Sequence, residues 1–149
     1  MALTELWKTA QKEIREKHIQ QVISFAADGK LRDGGAASKE FCDFLTLVPS
    51  GFLTRYAREC LTDTFDGGGF ALQDVINEVG RRLGFRVQQG RYRGSRGEIG
   101  FDGLWFSPDD MLHKVASYEP VLVELSCGSR VYDDFLKVLL SPVSNTQCR

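Results

Sequence analysis

Apolar positions in the first 65 residues recur at helical spacing. Leu6, Ala10, Ile14, Val22 and Phe25, with Trp7 and Ile23 beside them, keep a period of about 3.6 residues. That stripe predicts an amphipathic helix with Thr4 as its N-cap and Asp28-Gly29 as its end. Ser38 then caps a short helix through Phe41, Phe44 and Leu45. After the break at Val48-Pro49-Ser50, a further helix runs through Leu53, Tyr56, Ala57, Cys60 and Leu61. Gly67-Gly68-Gly69 marks an internal boundary. With no strand before it and no Gly-Lys-Ser/Thr after it, the triplet reads as a turn rather than a phosphate loop.

Past the boundary the pattern changes. Leu72, Val75, Ile76, Val79 and Leu83 form a one-sided helix that Gly84 ends. Phe85-Arg86-Val87 alternates as a short strand, residues 90–97 form a turn, and residues 98–106 are a second strand. Pro120 opens a third strand over residues 121–125, and Val131 to Leu140 reads as a last helix stopped by Pro142. The chain is therefore expected to be α/β. An α-helical N-terminal region over residues 1–66 precedes an α/β domain over residues 70–149, a small mixed sheet flanked by helices.

Composition changes this picture in two places. A chain of 149 residues that is 42% hydrophobic can bury a core. Its net charge of −1 conceals an asymmetry: six arginines and no acid lie between Arg81 and Arg96, leaving 13 bases elsewhere against 20 acids. Such a segment is a candidate phosphate-contacting surface, with a solvated helix end plus loop as the alternative. Arg91, Arg93 and Arg96, with Tyr92 interleaved, are its candidate nucleic-acid contacts; Tyr92 could equally anchor the turn. Trp105 and Phe106 read as core rather than as base-stacking residues. Cys42, Cys60, Cys127 and Cys148 show no CxxC spacing and lie near neither His18 nor His113, which argues against a zinc site. The absence of an apolar leader predicts a cytoplasmic protein with free thiols, and no segment is apolar enough to span a membrane. Ser126-Cys127-Gly128-Ser129 lacks the G-x-S-x-G form of a nucleophile turn.

Three acids remain as candidate chemistry. Metal-assisted phosphodiester hydrolysis needs carboxylates for Mg²⁺, a metal-activated water and a nearby cation. Asp102 and Glu124 on successive strands, with Glu78 on the preceding helix, fit the carboxylate roles by type and order. Glu78 lies about 100–120° from the centre of the apolar stripe, from where it reaches either a cleft beside the sheet or water. Glu124 interrupts an apolar strand, where a buried carboxylate is costly unless compensated; on an edge strand it would face solvent instead.

Residues 72–85, 90–105 and 107–110 resemble bacterial restriction-endonuclease-like proteins of the PD-(D/E)xK fold, close to the Mrr-type branch. The resemblance covers roughly residues 1–110, and residues 99–105 (IGFDGLW) are its most specific part. It implies a Mg²⁺-dependent nuclease acting on DNA, with the helix acid at Glu78, the metal aspartate at Asp102 and the strand glutamate at Glu124. The chain then departs from the pattern. Where the family strand ends Glu-x-Lys, this one reads Glu124-Leu125-Ser126, after a longer interval and with one helix following. A degenerate site, a substitute cation such as Lys137 or Arg130, and an altered C-terminal segment are the competing explanations. Lost or severely weakened catalysis is favoured, because a hydroxyl replaces an ammonium. The expected function is DNA binding with hydrolysis if the site is intact. The alternative is a catalytically inactive nucleic-acid-binding or protein-interaction module. The N-terminal helices are a candidate surface for a homodimer or protein partner.

Overall fold

The computed structural model describes residues 1–92 and 102–106, and the backbone of residues 121–123. Among these residues the chain is mixed α/β. The helices are α1 (Leu3–Thr9), α2 (Gln11–Arg15), α3 (Ile19–Ser24), α4 (Ala36–Leu47), α5 (Ser50–Thr62) and α6 (Gly68–Arg82). The strands are β1 (Arg86–Gln89), β2 (Gly103–Phe106) and β3 (Val121–Val123), in sheet order β1-β2-β3. Both pairings are antiparallel, so the described sheet is not of the mixed kind the sequence suggested.

The N-terminal stripe does not form one helix. Ala10 (φ −127°, ψ 41°) and His18 (φ −67°, ψ 155°) leave helical geometry and divide it into α1, α2 and α3. The cause is long-range, because α5 supplies the helix-end partners. Arg55 donates from Nη1 to the Arg15 carbonyl at 2.6 Å and from Nη2 to the Lys17 carbonyl at 3.0 Å. Glu59 Oε2 accepts the Ile19 N–H at 2.7 Å. These bonds satisfy the orphan groups that a local cap would otherwise serve. The buried face shifts accordingly to Leu3, Trp7, Ile14, Ile19, Val22 and Ile23, and Phe25 is exposed. The N-cap of α1 is Ala2, not Thr4. Ser38 lies inside α4 rather than before it. Its hydroxyl accepts the Arg32 N–H and donates to the Arg32 carbonyl, both at 2.8 Å, tying down the loop ahead of the helix.

Helix α4 matches its predicted stripe, with Phe41, Phe44 and Leu45 buried, and α5 matches through Leu53, Tyr56 and Ala57, whereas Cys60 is half-buried and Leu61 is exposed. Trp7 packs edge-on against Phe44 and Phe52 at 5.5 and 5.6 Å between centroids, joining α1 to this pair. One buried apolar cluster runs from Leu3 through α6 to Trp105, so the helical front and the α/β part share a core.

Helix α6 is the axis of the fold. The sequence predicts one buried side, yet every residue from Ala71 to Glu78 is buried, because α4 and α5 cover one side and the sheet another. Its approach to the sheet depends on two glycines. A Cβ on Gly80 would lie 2.5 Å from the Trp105 ring, and one on Gly103 would lie 2.1 Å from Asn77 Oδ1. Gly67 at φ +81° opens the helix and Gly84 at φ +90° follows its end, both in the left-handed region that glycine enters freely.

Candidate functional site

Four polar side chains, Gln73, Asp74, Asn77 and Glu78, are buried in the middle of α6. Their spacing sorts them into two pairs four residues apart, each pair on one strip of the helix surface. Gln73 and Asn77 face the start of β2. Each donates a side-chain N–H to the Asp102 carbonyl at 2.9 Å, and Gly90 N–H reaches the same oxygen at 3.2 Å. Asn77 Oδ1 in turn accepts the Trp105 indole N–H at 3.2 Å. Three donors on one carbonyl fix the backbone of Asp102 and leave that oxygen no capacity for another partner.

The second strip serves different neighbours. Glu78 accepts from Arg82 Nε at 3.0 Å and pairs with Arg81 at 3.5 Å. Arg82 also donates to the carbonyls of Leu45 and Val48, at 2.6 and 2.7 Å, and to Ser50 Oγ at 3.0 Å. The Glu78 carboxylate thus orients an arginine that closes the α4–α5 turn. Asp74, one turn earlier, accepts hydrogen bonds from the Tyr92 hydroxyl and from Gln89 Nε2. Burial pushes its carboxyl up to about 7, against the hydrogen bonds from Tyr92, Cys42 and Gln89 and the charge of Arg81, which pull it down. The Tyr92 hydroxyl is pushed upward by its own burial and by Asp74.

Tyr92 is an anchor. Its ring stacks on Phe70 at 4.7 Å, its hydroxyl reaches Asp74, and its backbone N–H donates to Asp33 at 2.7 Å. It therefore fastens the entrance of the arginine segment to α6 and to the loop before α4. Arg91 beside it is exposed and lines a cleft of about 680 Å³ with Arg32, Lys39, Cys42 and Gln89. Cys42 and Cys60 are free thiols that burial pushes up to about 12, so neither supplies a reactive thiolate near neutrality.

The sequence-predicted residues divide clearly. Asp102 is held at the head of β2, and Glu78 is committed to Arg81 and Arg82. Arg91 and Tyr92 stand together at the cleft wall. Glu124, Arg93, Arg96, Ser126, Arg130, Lys137 and the predicted helix 131–140 lie outside the described residues. Gln73, Asp74 and Asn77 were not singled out from the sequence. Their signal was polar residues repeating at i, i+4, which a one-sided helix would have turned to solvent. Among the described residues, no cluster of three or more His, Cys, Asp or Glu side chains could hold a metal. Nor is any helix among them long and apolar enough to cross a membrane.

Fold and site together define a mixed α/β protein whose central helix carries a buried polar network onto an antiparallel sheet. Comparison with protein-family models, with curated proteins and with solved structures returned no match.

Proposed function

We propose that this chain is a DNA-binding protein of nuclease type, of the restriction-endonuclease-like kind, in which Asp102 and Glu124 together bind one Mg²⁺ ion. The observation that carries the reading is the β2–β3 register, antiparallel with Gly103 opposite Val123. Were the same register to continue one residue further, position 102 would stand opposite position 124, and directly opposed side chains share a face about 5 Å apart. That is the separation at which two carboxylates serve one hard cation. The donor set suits Mg²⁺ by chemistry, being carboxylate oxygen throughout. The clamp of Gln73, Asn77 and Gly90 on the Asp102 carbonyl provides the rigid mount such a ligand needs.

When bound, Mg²⁺ would lower the pKa of a coordinated water and offset charge on a phosphodiester. The chain's own contributions are positional. Asp102 and Glu124 fix the cation, Arg91, Arg93 and Arg96 draw in the phosphate backbone, and Glu78 keeps α6 in place through Arg82. Ser126, where a lysine would assist the water, favours the second reading, a protein that binds DNA and metal with little or no cleavage.

Plasmid DNA incubated with the full chain and millimolar Mg²⁺ tests the proposal. Salt-dependent binding is expected, with slow cleavage that disappears in Asp102→Asn. Absence of DNA binding, or cleavage that survives Asp102→Asn, counts against it.

A further inference from the structure

The arginine segment is not the whole basic surface. We propose that Arg32 and Lys39 join Arg91 in one cleft that holds the phosphodiester backbone of a single nucleic-acid strand. The inference rests on the nucleic-acid-binding reading above and names the surface and the strand form it would take.

Three segments distant in sequence supply the cleft: the loop before α4, the first turns of α4, and the end of β1. Arg32, Lys39 and Arg91 are all exposed at its walls. Of its two acids, Asp33 accepts the Tyr92 backbone N–H and so joins the loop to the arginine segment, and Asp43 is exposed, so the three cations outnumber the acids by one. Arg32 pairs with Asp28 at 3.0 Å on the open surface, an interaction weak enough to yield to a phosphate. Gly35 and Ala36, at the start of α4, also line the cleft, and the first turn of that helix carries no acid. The positive end of the helix dipole therefore adds to the basic side chains.

The walls are fixed before any ligand arrives. Ser38 binds both backbone groups of Arg32, and Asp74 and Phe70 hold Tyr92 from behind. A second hollow, of about 360 Å³, shares Arg32, Asp33 and Tyr92 with the first and adds Lys30 and Asp66. Two hollows joined along one wall suit a linear chain of phosphates. An unpaired strand can follow that shared wall with successive phosphates.

The test is fluorescence anisotropy of a labelled single-stranded oligothymidylate, and of a duplex of equal length, titrated with the full chain at several salt concentrations. Neutralising both residues (Arg32→Gln with Lys39→Gln) should weaken single-strand binding. It should also lower the slope of log affinity against log salt by about 1.4, or about 0.7 for each lost contact. The charge-preserving pair Arg32→Lys with Lys39→Arg should retain the slope, which separates lost charge from a disturbed loop. Unchanged affinity and slope in the neutralised variant, while the wild type binds, would overturn the cleft and leave the broader reading standing. A loss confined to the duplex would overturn the single-strand assignment. Failure of the wild type to bind either probe would remove both proposals.

Discussion

Asp74 is the sharpest place to perturb this protein, because its carboxyl is 1% exposed and has an ordinary value of 3.8 that burial raises to about 7. Between those pH values the folded chain keeps a proton that the unfolded chain has released. Stability from this group is therefore full below pH 3.8, declines as pH rises toward about 7, and is flat beyond. At about 1.36 kcal/mol per unit, the whole change is about 4 kcal/mol. Asp74→Asn keeps the side-chain volume and an acceptor for Tyr92 but cannot ionise, so it lacks this decline. Urea unfolding of both proteins at intervals from pH 4.5 to pH 7.5 isolates the effect, since all other carboxylates cancel in the difference. The variant should gain on the wild type by about 1 kcal/mol per pH unit from pH 4.5 to about 6.5, with the difference levelling off above pH 7. A difference that stays constant with pH would show that Asp74 titrates as an exposed carboxyl does. The buried network with Tyr92 and Gln89 would then be wrong.

Other residues give equally direct tests. Gly80→Ala should destabilise the protein by about 1–3 kcal/mol despite the better helix former, because the new methyl meets the Trp105 ring. Gly69→Ala, with open space around it in the same helix, should be neutral or stabilising by up to about 1 kcal/mol; thermal melts of the pair decide. Arg82→Ala should cost about 3 kcal/mol in chemical denaturation, since it strips Glu78 of its closer partner and two carbonyls of their donor. Asn77→Ala should cost about 1–3 kcal/mol by leaving the Trp105 N–H buried without an acceptor. In a Trp7→Phe background it should also shift the Trp105 emission.

Much of the architecture was legible in the sequence. The stripe of α4 and most of those of α5 and α6 read correctly, though Leu61 and Leu83 at their ends are exposed, and the described strands fall near their predicted places, because those patterns express local periodicity. The N-terminal helix did not, since the bends at Ala10 and His18 are held by Arg55 and Glu59 from an element about 40 residues away. The second buried side of α6 was hidden for a related reason. A polar residue on a helix reads as solvated until a partner is known, and the partners here are the Asp102 carbonyl, Tyr92, Gln89 and Arg82. Gly80 and Gly103 carried a faint signal, a glycine inside a helix and one at a strand start, but only the sheet contact explains them. At the candidate site, Asp102 was visible as an acid on a predicted strand, and the structure places it just ahead of β2. The clamp that fixes it was not, because backbone acceptors leave no mark in a sequence.

The central claim is that Asp102 and Glu124 share one cation. Isothermal titration of Mn²⁺, standing in for Mg²⁺, into the full chain tests it most directly. The account predicts one site in the wild type, lost in Asp102→Asn and equally in Glu124→Gln, with both variants folded. Mn²⁺ binding that persists unchanged in either variant, or a folded wild type that binds no divalent ion, would contradict it.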